Sequence, residues 1–167
     1  YVSCGAKSFI DLNLQHCNIM HFCDFDTNPK IDDALKGVTL ARDFGVDFII
    51  AVGGGSVMDM AKLIKAFYLS PSVAREITIG NIKMTNPKIP MIFIPTTAGS
   101  GSESTHFAVV YFGSDKYSLA SKLLLPETVI LDGQLISTCS FYQKACNGLD
   151  ALSQAIESTW ASGSTEL

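Results

Sequence analysis

The sequence predicts an α/β fold, with a mainly parallel sheet flanked by helices. Two uninterrupted apolar runs, residues 48–52 and 91–94, are typical of strands buried on both faces. A loop of small residues follows each run directly, and the first loop leads into a helical pattern from about Val57 to Tyr68. Because ligands of such sheets bind beyond the carboxyl ends of the strands, we expect both loops to face one crevice.

The remaining elements of the N-terminal half are predicted from periodicity and turn residues. Residues 18–25 alternate loosely and predict a strand, and residues 26–29 predict a turn. A helix is predicted from Lys30 to Phe44, where Gly45 provides the stop. The polar stretch 69–86 is expected to be irregular.

The C-terminal half contains two β-rich segments, residues 107–112 and 128–131. The first ends at residues 113–115, a turn typical of antiparallel neighbours. Residues 148–160 predict a helix with apolar residues on one side, and we expect Trp160 to lie in the core.

Composition limits the function classes. The 167 residues are 47% hydrophobic, enough for one sizeable core, and the net charge of −4 argues against nucleic acid and anionic membranes as partners. No apolar run approaches the roughly 18 residues of a transmembrane helix. The five cysteines include no C-x-x-C pair, which indicates reduced thiols in apolar surroundings of a cytoplasmic protein. They are Cys4, Cys17, Cys23, Cys139 and Cys146.

The first loop has the composition of a phosphate site. Gly53, Gly54, Gly55 and Ser56 connect the buried run to the helix, so backbone N–H groups and the positive end of the helix dipole point at one place. An ordinary tight turn is the alternative, but one glycine would serve there, whereas three allow a ligand to approach the backbone. The loop matches neither the G-x-G-x-x-G pattern nor a Walker loop.

The second loop, residues 96–103, is rich in hydroxyl groups. Thr96, Thr97, Ser100 and Ser102 suit hydrogen bonding to phosphate, ribose or carboxamide. A flexible surface turn is the alternative, but such a turn rarely follows so apolar a strand, and ligand contact is favoured.

Asp150 and Gln154 are four residues apart and share a helix face, where they could line a polar cleft with Glu157. Spacing alone favours the other interpretation, a solvated helix N-terminus.

Four other residues have zinc-ligand chemistry: His16, Cys17, His21 and Cys23. His21 and Cys23 fall on the predicted strand, so a packed strand explains them better. His106 follows the second loop and could donate a proton, although a hydrogen-bonded core or pocket histidine is favoured.

Four segments together resemble the iron-containing (group III) alcohol dehydrogenases, which form a superfamily with dehydroquinate synthase and glycerol dehydrogenase. They occur in the family's order, and Asp24–Pro29 also looks like a family segment, whereas the first 20 residues match poorly. The four segments are Gly53–Lys62, Ile94–Glu103, Leu125–Asp132 and Gly148–Glu157.

The resemblance implies a two-domain enzyme. Residues 1–142 are expected to form a Rossmann-like dinucleotide-binding domain, and residues 143–167 to begin an all-helical metal-binding domain. The glycine loop is expected to hold the pyrophosphate and the second loop the phosphate and nicotinamide ribose. Family positions near NAD or NADP correspond to Asn28, Gly53, Gly54, Gly55, Ser56, Asp59, Thr96, Thr97, Ser100 and Lys116.

The sequence departs from the family at the metal site. The family pattern Asp-Ala-x-x-His supplies two metal ligands, and Asp150 fits it, but Gln154 occupies the histidine position. A neutral amide oxygen binds Fe²⁺ or Zn²⁺ more weakly than imidazole does. This Ser-Gln variant is similar to a subgroup resembling phosphonoacetaldehyde reductases, which indicates a small anionic aldehyde.

The expected function is an NAD(P)-dependent alcohol dehydrogenase or aldehyde reductase, in which a divalent metal polarises the substrate oxygen during hydride transfer. The alternatives are a dehydroquinate synthase-like cyclase that uses NAD and a metal-free nucleotide-binding module. The resemblance further implies a homodimer that acts on a small alcohol or aldehyde. The sequence assigns no general acid.

Overall fold

The computed structural model describes residues 5–164 and contains a parallel sheet, an antiparallel hairpin and helices that pack against both. The strands are β1 (Ile49–Gly53), β2 (Met91–Pro95), β3 (Phe107–Phe112), β4 (Asp115–Ala120) and β5 (Thr128–Val129). The helices are α1 (Ala6–Asn13), α2 (Ile31–Phe44), α3 (Gly55–Phe67), α4 (Ala74–Thr78), α5 (Gly133–Ser137) and α6 (Phe141–Trp160).

The sheet has the predicted parallel arrangement, in the order β1-β2-β5. Ile49 pairs with Met91 and Gly53 pairs with Pro95, so β1 and β2 end level with each other. The loops that follow them therefore begin at the same edge of the sheet, as the sequence predicted.

The antiparallel hairpin of β3 and β4 confirms the turn predicted at residues 113–115. Gly113 takes a left-handed φ of 62°, which a tight two-residue connection requires. The sequence did not predict β4, because its polar residues hide the alternation that directs Leu119 into the core.

Helix α3 lies at the centre of the molecule, between α2 and the hairpin. Nine of its residues are buried, and Met60, Leu63 and Phe67 contribute to the core that α3 shares with α2 and β3. The two lysines of α3 are also buried, which is unusual for an ammonium group unless it has partners. Burial of these residues fixes α3, the helix that follows the glycine loop, relative to α2 and β3.

The prediction of a strand over residues 18–25 is wrong, since residues 18–26 form neither helix nor strand. Phe22 and Phe25 both pack against the core, with ring centroids 5.4 Å apart. A spacing of three residues breaks the alternation that a strand requires. His21 and Cys23 are consequently exposed instead of packed.

Helix α6 begins at Phe141, earlier than the predicted start at residue 148, because Ser140 caps it by accepting a hydrogen bond from the Gln143 N–H at 3.1 Å. Trp160 is 80% exposed, so its prediction as a core residue is wrong. Residues 69–86 are also more regular than predicted, since α4 buries Ala74 and Ile77 there.

The four described cysteines are free thiols. Cys17 and Cys23 are exposed, contrary to the apolar surroundings expected for them, and Cys4 lies outside the described residues. Among residues 5–164, no helix is both long and apolar enough to cross a bilayer.

Candidate active-site crevice

The glycine loop lies directly against the second loop. A Cβ atom added to Gly54 would lie 2.8 Å from the Thr97 Oγ1, and one added to Gly55 would lie 3.2 Å from the Ser100 Oγ. Gly54 has a φ of −87°, so close approach, and not backbone strain, is what requires glycine there. The two loops form one surface. The glycine loop contributes backbone to it, and the second loop contributes the hydroxyl groups of Thr97 and Ser100.

The start of α3 provides the electrostatics of this surface. The N–H groups of Val57 and Met58 donate to the Gly54 carbonyl, at 3.0 and 3.2 Å. The N–H groups of Gly55 and Ser56 come before these two, in the first turn whose N–H groups lack partners within a helix, and they add to the positive end of the α3 dipole. The crevice therefore favours an anionic group beside Gly55 and Ser56.

Asn28 lies beside the same turn. Its backbone N–H donates to the Ser56 Oγ at 3.4 Å, and its φ of 63° is left-handed, a conformation that asparagine tolerates better than most residues. The turn before α2 is thereby brought to the glycine loop.

The second loop is held at its start and in its middle. The Thr96 N–H donates to the Gly53 carbonyl at 2.9 Å, and the Cys139 thiol donates to the Thr96 carbonyl at 3.3 Å. A Cβ atom on Gly99, whose φ is 106°, would lie 2.3 Å from the Asn147 carbonyl oxygen. The first half of α6 therefore closes one side of the crevice.

Beneath the loops is a buried polar network centred on Lys62, whose side chain has no solvent exposure. Its ammonium donates to the Ser102 carbonyl at 2.8 Å and the Phe107 carbonyl at 2.7 Å. It also donates to the hydroxyls of Ser102 and Thr105, each at 3.2 Å. Asp59 Oδ1 lies 3.9 Å from this ammonium.

Asp59 completes the network as an acceptor. Its carboxylate accepts from the Ser102 Oγ at 2.8 Å and from the Val109 N–H at 3.1 Å. Burial raises the pKa of Asp59, and those two hydrogen bonds oppose the rise. Burial likewise lowers the pKa of Lys62, against the attraction of Asp59 and Glu103.

A family model described as iron-containing alcohol dehydrogenase matches residues 6–133, which is most of the chain. The chain belongs to the iron-containing alcohol dehydrogenase family. The Rossmann-like arrangement predicted from the sequence is that of solved members of this family.

Relatives within the family are dehydrogenases and reductases. The NADPH-dependent butanol dehydrogenase of Clostridium saccharobutylicum is 37% identical over 140 residues, which cover 79% of this chain and 35% of that protein. Sulfoacetaldehyde reductase from Bifidobacterium kashiwanohense, solved in complex with NAD⁺, superposes with a TM-score of 0.90 at 29% identity, covering 97% of this chain and 44% of that one. NADH-dependent butanol dehydrogenase A from Thermotoga maritima gives a TM-score of 0.83 at 26% identity, covering 92% of this chain and 39% of that one. The chain thus spans about a third of the length of the curated relative.

Most of the residues expected at the cofactor lie together in this iron-containing alcohol dehydrogenase fold. They are Asn28, Gly53, Gly54, Gly55, Ser56, Thr96, Thr97 and Ser100. Two lie elsewhere: Asp59 is bonded within the network below the loops, and Lys116 is exposed on β4, opposite Tyr111.

The expected metal ligands Asp150 and Gln154 are exposed on successive turns of α6. A carboxylate and an amide provide two oxygen ligands, which do not complete the coordination of Fe²⁺ or Zn²⁺. Within the part of the chain that the structure describes, no three or more His, Cys, Asp or Glu residues are grouped so as to hold a metal ion. The described residues therefore do not form a metal site, and no chemical step is assigned to one.

The sequence interpretation overlooked Lys62, although it lies inside the family-like segment. The available signal was a lysine within the apolar run of α3. Its hydrogen-bond partners lie 40 to 45 positions further along the chain, so spacing could not reveal them.

The His106 ring packs on the neighbouring Phe107 ring, with centroids 4.1 Å apart, and is partly buried.

Proposed function

We propose that this chain is the cofactor-binding part of an NAD(P)-dependent alcohol dehydrogenase or aldehyde reductase. The observation that carries the proposal is the direct contact between the glycine loop and the hydroxyl-rich loop at one edge of the parallel sheet. A dinucleotide is long enough to touch both loops at once, and its pyrophosphate is the anion that a helix N-terminus favours.

Each loop has a separate task in this proposal. Gly54 and Gly55 let Thr97 and Ser100 of the second loop pack directly against the backbone, and the first N–H groups of α3 donate to the pyrophosphate. Thr97 and Ser100 hold hydroxyl groups on the facing side, where they donate to phosphate or ribose oxygens. The bound nicotinamide supplies hydride transfer to or from a carbonyl carbon.

For the substrate we propose a small aldehyde that carries an anionic group. The Ser153-Gln154 pair supports this choice, as does the similarity in fold to a sulfoacetaldehyde reductase. Relatives named as butanol dehydrogenases act on an uncharged alcohol, which makes butanal the natural comparison substrate. Relatives named for NADPH and for NADH both occur, so both cofactors belong in the assay.

The proposed domain division is residues 1–142 for cofactor binding and 143–167 for the start of a helical metal-binding domain. Helix α6 begins at Phe141, next to that boundary, and its Leu149, Leu152 and Ile156 are exposed.

A homodimer is part of the same proposal. The free thiols accord with a cytoplasmic location.

The experiment is a titration of the full-length protein with NADH and NADPH, followed by nicotinamide fluorescence. Gly54→Val should abolish binding, because its Cβ would lie 2.8 Å from the Thr97 Oγ1 and the side chain would force the second loop away from the glycine loop. Gly133→Val is the matched control, since a Cβ there meets nothing within 4 Å and Gly133 lies outside the crevice. Unchanged affinity in Gly54→Val would remove the role assigned to the loop.

Catalysis is tested separately by aldehyde-dependent NADH oxidation, with sulfoacetaldehyde and with butanal. Each is assayed with and without added Fe²⁺ or Zn²⁺. Turnover of sulfoacetaldehyde above that of butanal supports the anionic substrate. Cofactor binding without turnover of any aldehyde would instead favour a nucleotide-binding module.

A further inference from the structure

Lys62 has a position that the proposed function does not explain. It lies on α3, the helix that begins at the glycine loop, and it is completely buried. Its four acceptors are the carbonyls of Ser102 and Phe107 and the hydroxyls of Ser102 and Thr105. An ammonium group without solvent is stable only if such acceptors are present. The same hydrogen bonds fix the positions of the acceptors relative to α3.

All four acceptors lie within residues 102–107, at the end of the second loop and just after it. One helical turn before Lys62, Asp59 accepts from the Ser102 hydroxyl at 2.8 Å. Ser102 is thereby attached to α3 by two neighbouring side chains. The end of the second loop is fixed to the same helix whose start forms the glycine loop.

Between Thr96 and Ser102, the second loop packs against α6 at Gly99. Its start is attached through the Thr96 N–H to Gly53, and Gly99 and Gly101 between the two attachments have left-handed φ values of 106° and 63°. Glycines in that region offer little stiffness. Beyond Gly99, the attachment at Ser102 is what holds Ser100 and its hydroxyl against Gly55.

We infer that Lys62 is a positioning residue for the dinucleotide: through Ser102, Thr105 and Phe107 it sets the separation of the two loops, without touching the ligand. The inference rests on the proposed function, since it presumes that one ligand binds across the surface that the two loops share. Loss of the ammonium should let the second loop move away from the glycine loop. Cofactor affinity should then fall, because binding would have to restore the loop geometry.

Lys65 provides a matched control on the same helix. It is also buried, at 2% exposure, and its ammonium lies 3.1 Å from Glu127 Oε1. Glu127 in turn accepts from the N–H of Met91, the first residue of β2. This attachment lies at the end of the sheet opposite the crevice, so it tests the loss of a buried ammonium without a change at the loops.

The experiment compares Lys62→Met and Lys65→Met in the full-length protein. Both variants remove a buried ammonium, and Lys62→Met should lower the melting temperature more, since its acceptors are mostly buried whereas Glu127 is 51% exposed and can bind water. Only Lys62→Met should weaken NADH binding, by about tenfold or more. Only Lys62→Met should also speed amide hydrogen exchange over residues 96–104 in the ligand-free protein.

The outcomes separate the inference from the proposed function. If the wild type binds NADH and the two variants share one dissociation constant, Lys62 is merely structural and the inference is overturned. If the wild type binds neither NADH nor NADPH, the proposed function fails first. If Lys62→Met does not fold, Thr105→Val removes a single acceptor at nearly constant shape. That variant should weaken NADH binding in the same direction, and unchanged affinity in it would count against the inference.

Discussion

Single residues determine how closely the second loop packs against its neighbours, and Gly99 is the clearest case. Its left-handed φ excludes most side chains, and the Asn147 carbonyl occupies the place of a Cβ atom. The sequence indicated a small residue in a loop that contacts a ligand, but the contact of Gly99 with α6 joins positions 48 residues apart (147 − 99). No local pattern encodes such a contact.

Gly99→Ala is therefore expected to push α6 from the second loop. We predict a loss of about 2–3 kcal/mol in the free energy of unfolding, from backbone strain and a clash with main-chain atoms. Gly101→Ala is the control, because its φ of 63° is also left-handed but its Cβ would meet only the Ser104 Oγ, at 3.8 Å. That variant should lose about 1 kcal/mol. Equal losses in urea denaturation would mean that the Asn147 contact is unimportant.

At the scale of elements, continuous apolar runs were the reliable signal. They identified β1 and β2 within a residue, because a strand buried on both faces must be apolar throughout. The loose alternation of residues 18–25 led to a wrong prediction of a strand. Phe22 and Phe25 pack against each other there, but the segment is not a strand. The attachment of α3 to the base of the sheet through Lys65 and Glu127 could not be predicted, because its partners lie 62 positions apart.

That attachment makes a prediction about acid stability. Burial pushes the pKa of Glu127 up, but the Met91 N–H and the Lys65 ammonium together bring it below its usual value of 4.5. An acid whose pKa is depressed on folding stabilises the protein above the unfolded pKa, and the contribution is lost as the pH falls through the folded value. The relevant window therefore lies below pH 4.5.

Glu127→Gln should lower the free energy of unfolding at pH 7 by less than about 1 kcal/mol, because the side chain is 51% exposed and the pair is screened by solvent. The difference from wild type should shrink as the pH falls below 4.5. Glu157→Gln, at an exposed position on α6, serves as the control and should leave stability unchanged at both pH values. A difference for Glu127→Gln that persists at low pH would contradict the assigned ion pair.

At the scale of the molecule, parallel strands of matched register bring two distant loops together. The sequence predicted this because both loops follow strands directly, and topology then places them at one edge. It could not predict what holds the loops together, since that depends on the buried lysine in α3 and on its acceptors at the end of the second loop and just after it. The chemistry of the family is thus apparent from short segments, whereas the mechanical support of the site is apparent only in three dimensions.

The most direct test of the central claim, that one dinucleotide binds across both loops, is amide hydrogen exchange of the full-length protein with and without saturating NADH. We predict that NADH slows exchange at residues 54–58 and at residues 96–102 together, with little change on the outer side of α2. Protection confined to one loop, or absent from both while NADH is bound, would contradict the account.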